Sequence, residues 1–154
     1  ENKTIKFLIS KVNSGGSKRE PIFKKKFYYF DNPQLASVQM RVLDDLISGE
    51  SYFFDLIYMD IEGSEYFALK GMNKILQKTK AIVVEFIPHH IKNVSCVSVE
   101  EFLSHFLKHF NFCYVPSLNK YLKKSEFLSN FKKMYHKNIS DDGIIFSKEQ
   151  IIFH

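Results

Sequence analysis

Residues 53–65 read Phe-Phe-Asp-Leu-Ile-Tyr-Met-Asp-Ile-Glu-Gly-Ser-Glu, an apolar run that breaks abruptly into carboxylates. Phe53, Phe54, Leu56, Ile57, Tyr58 and Met59 make a run of strand length. It is too continuous for a half-solvated strand, and predicts one buried on both faces. Asp60, Glu62 and Glu65 then gather around Gly63, and from Ser64 onward Leu69, Met72, Ile75 and Leu76 fall at helical spacing. The pattern is a strand, a tight acidic turn and a helix. In open α/β sheets ligands bind beyond the carboxyl ends of the strands, so Asp60 and its neighbours stand where a site would be. The same residues also suit a structural role, with Ser64 or Asp60 capping the helix and the acids complementing its dipole.

Working outward, Lys70-Gly71 interrupts the helical pattern without ending its apolar phase, and a glycine here suits close helix-to-sheet packing. Residues 81–87, Ala-Ile-Val-Val-Glu-Phe-Ile, read as a second fully buried strand. A strand–helix–strand crossover implies two parallel strands with their carboxyl ends on one side. Asp60 and Glu62 are therefore expected near Glu85, His89 and His90. Those three either contact a ligand or satisfy backbone groups.

Downstream, Ser98 and Glu101 form a capping box before a helix with Phe102, Leu103, Phe106, Leu107 and Phe110 on one face. His105 and His109 fall on its flank, where a pair without an acidic partner reads as surface rather than metal site. Residues 110–115 form a third strand, 125–137 an amphipathic helix, 141–143 a turn and 143–146 a last short strand. Upstream, residues 4–10 alternate as a strand and 13–17 form a loop with no phosphate-cradle spacing. Residues 23–30 read as a strand or edge segment whose lysines discourage edge pairing. Residues 37–42 read as a half-buried strand. Asp44 is placed to cap a short helix through Ile47, stopped by Ser48-Gly49-Glu50.

The 154 residues fit one domain, 1–154, large enough for a sizeable core, and 16 Phe with 8 Tyr and no Trp predict a phenylalanine-rich one. A net charge of +5 is dispersed rather than striped, with Arg19 and Arg41 the only arginines, which speaks against nucleic-acid or anionic-membrane binding. Cys96 and Cys113 are too few for a disulfide framework and favour a reducing, cytoplasmic setting. No run has the roughly 18 apolar residues of a membrane span. The chain opens without Met, which suits a fragment or processed product.

The run Asp55-Leu56-Ile57-Tyr58-Met59-Asp60-Ile61-Glu62-Gly63-Ser64-Glu65-Tyr66-Phe67-Ala68-Leu69-Lys70-Gly71 resembles the signature of the FkbM-type methyltransferases, roughly D-L-I-K-I-D-V-E-G-x-E-x-x-x-L-K-G. Val42-Leu43-Asp44-Asp45-Leu46-Ile47 resembles the T-L-D-D-L segment before it, and Ala81–Pro88 the following strand that ends in E and then H-P. Tyr58 stands where the family usually carries Lys.

The resemblance implies an α/β, Rossmann-like class I methyltransferase sheet with S-adenosylmethionine as donor and a hydroxyl of a sugar or small molecule as acceptor. Residues 53–154 would be its C-terminal half with the last strand antiparallel, and 1–50 insertion-like strands and a loop. No Gly-x-Gly occurs, and the N-terminal donor-binding half is lacking; an upstream extension, the segment 4–42 in place of the missing strands, or a second copy would complete the sheet. On this reading Asp60 is the candidate general base or orienting group, and Glu62, Glu65, Glu85, His89 and His90 are candidates for the acceptor site. Asp44 faces the donor's adenine or only caps its helix. The alternative is a non-catalytic module of the same fold that binds a partner or glycan.

Overall fold

The computed structural model describes residues 3–47 and 52–151, so the expected helix stop at 48–50 lies outside the described residues. Two sheets form. The first is small and antiparallel, in the order β2-β1-β3, from β1 (Lys3–Ile9), β2 (Lys18–Arg19) and β3 (Gln34–Met40). The second has five strands, β4 (Phe54–Met59), β5 (Thr79–Phe86), β6 (Phe112–Val115), β7 (Lys120–Lys123) and β8 (Asp141–Ser147), in the order β4-β5-β8-β6-β7. β4 and β5 are parallel, as the crossover requires, and β8 lies antiparallel between β5 and β6. The expected antiparallel last strand is thus present. β7, a hairpin partner of β6, is an element that sequence periodicity missed.

Helices α1 (Leu43–Leu46), α2 (Glu65–Lys70), α3 (Asn73–Gln77), α4 (Pro88–His90), α5 (Val99–Leu107) and α6 (Phe127–His136) complete the chain, with α4 running on into a π-turn at Ile91–Ser95. Met59, Leu69, Ile75, Leu76, Ile82, Val84, Phe86, Phe102, Phe106, Phe127, Phe131 and Phe146 pack as one core, and the expected phenylalanine enrichment holds. Phe146 stacks on Phe106 at 4.0 Å, and Phe86 meets Phe131 edge-on at 4.9 Å, both favoured aromatic geometries.

Several expectations need correction. β4 is not buried on both faces: it is the edge strand, and Phe53, Leu56 and Tyr58 are 74%, 56% and 66% exposed. Its long apolar run reports a strand with two apolar faces, yet among the described residues only one face has a covering layer. The helical run after the acidic turn splits at Gly71-Met72 into α2 and α3. Gly71 accepts from Asp44 N–H at 2.9 Å, and a Cβ there would touch Val42 at 3.6 Å, so it packs against the segment before α1 rather than the sheet. The 23–30 segment is no strand; Lys26–Tyr29 is a short 3-10 turn that buries Tyr28. Only half of the Ser98 capping box forms: Ser98 Oγ accepts from Glu101 N–H at 3.1 Å, while Glu101 accepts instead from the Tyr66 hydroxyl.

Candidate functional site

β4 ends at Met59 and delivers Asp60 to a turn whose backbone is left-handed at Glu62 (φ 54°) and Gly63 (φ 90°). Position 63 must be glycine. A Cβ would lie 2.9 Å from Val94 Cβ and 3.0 Å from His90 Cβ, on a backbone that side chains rarely adopt. The turn is tied from two sides. Ser95 Oγ donates to Gly63 O at 2.8 Å, and the buried Glu65 carboxylate accepts from the N–H of Ile61 (3.1 Å) and of Gly63 (3.3 Å). Neither Ser64 nor Asp60 caps α2 through its side chain; Glu65, the first helical residue, turns back to hold the turn's own N–H groups, its pKa raised by burial.

Glu62 faces the small sheet, with Lys18 Nζ of β2 at 2.9 Å and His90 Nε2 at 3.7 Å. Burial, reinforced by His89 and Lys18, pushes the His90 pKa down to about 3, so the ring is neutral and Lys18 is the true ionic partner of Glu62. His90 Nδ1 is buried without a partner among the described residues. His89 meets Tyr28: its Nδ1 is 3.0 Å from the hydroxyl, which also donates to His89 O at 3.1 Å.

Glu85 sits at an irregularity in the β5–β8 ladder between Val84 and Phe86, the kind of bulge that re-aims a side chain. It is half-buried and its Oε2 has no partner among the described residues. Burial first, then the charges of Glu65, Asp60, Glu62 and Asp142, push its pKa up to about 8. Glu85 is therefore largely protonated at neutral pH and can donate a hydrogen bond. The expectation that Asp60 and Glu62 approach Glu85 and the histidines at the strand ends thus holds, through Glu62 to His90 and through the carboxylates that act on Glu85.

Asp44 does not cap its own helix. Its oxygens accept from the N–H of Lys74 (2.9 Å) and of Ile75 (3.0 Å), which caps α3 and commits both oxygens of the proposed adenine contact. Asp60 is the contrast: it is exposed, and no hydrogen bond or ion pair engages it among the described residues. It lines a cleft of about 390 Å³ between the small sheet and the acidic turn, walled by Ile5, Phe7, Val38, Met40, Phe67 and Ala68, with Glu62 and Arg19 beside it. Arg19 lies over the Phe67 ring at 3.8 Å, a cation–π contact that joins the two walls.

A family model described as the methyltransferase FkbM domain matches residues 6–114. The chain belongs to the FkbM methyltransferase family. The matched FkbM span runs from β1 into β6 and so includes both walls of the cleft. No curated protein and no solved structure matches the chain.

Within this FkbM domain the signature residues divide by role. Glu65 and Gly63 build the turn, Glu62 anchors the small sheet, and Asp60 is left free. Tyr58, in place of the family lysine, points away from the core. Lys18, Arg19, Tyr28 and Phe67 escaped the sequence reading, since a lysine in an alternating strand or a tyrosine in an aromatic run carries no signal of its distant partner. His105 lies edge-on to Tyr66 and His109 meets Asn73 at 3.0 Å. Among the described residues no group of three or more His, Cys, Asp or Glu could hold a metal ion, and no helix is long and apolar enough to cross a membrane.

Proposed function

We propose that the chain carries the methyl-transfer cleft, for donor and acceptor alike, of an S-adenosylmethionine-dependent O-methyltransferase acting on a hydroxyl of a sugar or small-molecule metabolite. The observation that carries this reading is the free Asp60 carboxylate at the end of β4, in a cleft within the FkbM span. The cleft's chemistry fits the donor: apolar walls from Phe7, Val38, Met40 and Phe67 suit a flat base, and Asp60 suits a cationic or hydroxyl-bearing end. When bound, the donor supplies an electrophilic methyl group on a sulfonium. The residues of this chain orient the acceptor and take its proton: Asp60 accepts the hydroxyl hydrogen as the oxygen becomes nucleophilic.

Calorimetric titration with S-adenosylhomocysteine tests the donor cleft, with saturable binding expected. Asp60→Asn tests the base: turnover should fall about 100-fold or more with an unchanged melting temperature, because Asp60 is exposed. Full activity of that variant would remove Asp60 from the role. A second reading, a non-catalytic module that binds a partner or glycan, is favoured by the exposed apolar residues of β4. It predicts no binding of S-adenosylhomocysteine.

A further inference from the structure

A second cleft, of about 350 Å³, lies on the other side of the Tyr28–His89 contact and is lined by Lys25, Phe27, Pro88, His89, Lys92, Asn93, Tyr135 and Asn138. Its polar groups are two ammonium groups, one imidazole, two carboxamides and a phenol, with no carboxylate. Lys18, Lys24, Lys80 and Lys132 each pair with an acid, but neither Lys25 nor Lys92 does among the described residues. Both are exposed at their tips, while Asn93 is buried in the lining. The Tyr28 hydroxyl satisfies His89 at Nδ1 or at the carbonyl; when it donates to Nδ1, Nε2–H is left as a free donor.

We propose that this cleft binds the oxyanion of a small molecule, a phosphate ester or a carboxylate. Two unpaired cations in a concave, acid-free wall focus positive potential where a flat surface would spread it. The Asn93 carboxamide is engaged with the Tyr28 hydroxyl, so Asn138 and the Tyr135 phenol supply the neutral donors that an oxyanion needs once its hydration shell is displaced. Phe27 and Pro88 give the cleft apolar sides against which the body of such a ligand can lie. The aromatic ring of Tyr135 comes from α6, so the site unites the segment before β3, α4 with its π-turn, and the last helix. This assignment stands apart from the methyl-transfer reading, since it uses none of the residues of the first cleft.

The test is an amide-resolved NMR titration of the whole chain with inorganic phosphate and, separately, with acetate, at ionic strength held constant with chloride. Saturable shifts confined to Lys25, His89, Lys92, Asn93 and Asn138 are expected. Phosphate saturating at lower concentration than acetate assigns the ester, and the reverse assigns the carboxylate. The Lys25→Ala/Lys92→Ala variant should weaken binding at least tenfold with an unchanged melting curve, because neither side chain is buried. Non-saturable shifts spread over the surface lysines, or equal affinity of the double variant, would overturn the proposal.

Discussion

Two neighbouring rows of the five-stranded sheet, one residue apart on every strand, meet opposite fates. Ile57, Ile82, Phe146, Cys113 and Leu122 run across β4, β5, β8, β6 and β7 on the helix-covered face, and all but the half-buried Ile57 are sealed from solvent. Tyr58, Val83, Ile145, Tyr114 and Tyr121 form the next row, on the opposite face, and range from half-buried to exposed. Both rows are built of large apolar or aromatic side chains, although the open row carries three tyrosines whose hydroxyls can reach water. What distinguishes them is the helical layer, which supplies dispersion partners and excludes water on one side only. The small sheet is a third case: Leu8 is its one buried apolar strand residue, and directional contacts hold it, Lys18 to Glu62, Tyr28 to His89, and Arg19 on Phe67.

The largest test of this contrast is Phe146→Ala in the covered row. Phe146 contacts Phe106, Phe110, Phe127 and Phe131, and truncation should cost about 3–5 kcal/mol in chemical denaturation. A cost below about 1 kcal/mol would mean that this face is not the stabilising one. Next, Tyr28→Phe removes the hydroxyl that joins the small sheet to His89, at a local cost of about 1–3 kcal/mol. Amide exchange should quicken over residues 3–40 while β5 and β8 keep their protection; equal acceleration everywhere would show that the two sheets open as one.

Glu85→Gln addresses the strand-end carboxylates. A carboxyl whose pKa rises on folding from its ordinary 4.5 to about 8 favours the folded state fully below pH 4.5, and that contribution is lost as pH rises through 8. The variant's melting temperature should therefore gain on the natural chain's between pH 5 and 8.5. A constant difference would place the Glu85 pKa near its ordinary value. The smallest effect is expected for Tyr58→Lys, which restores the family's residue in the uncovered row. With Tyr58 66% exposed, stability should change by no more than about 0.5 kcal/mol. A larger loss would reveal a layer over that face.

Much of this was legible in the residues. The break from Met59 to Asp60 marked the strand end, the apolar run 81–87 marked the parallel partner, and the acidic turn marked the residues that reach the first cleft. The division of labour within the turn was not, because Asp60, Glu62 and Glu65 are alike as acids and differ only in what surrounds them. Glu65 is spent on backbone N–H groups, Glu62 on Lys18, and Asp60 on nothing. Nor was Asp44's true target readable, since the N–H groups it caps lie 30 and 31 residues away.

By itself the sequence determined the strand–turn–helix unit, the parallel crossover and the FkbM signature, since each rests on local periodicity and on residue order. Only the tertiary structure decided that, among the described residues, β4 is an edge and one face of the sheet stays uncovered, and that Lys18 meets Glu62 across 44 residues. Periodicity records which faces of a strand are apolar; whether a layer arrives to cover them, and which charge a carboxylate finds, depends on contacts between distant parts of the chain.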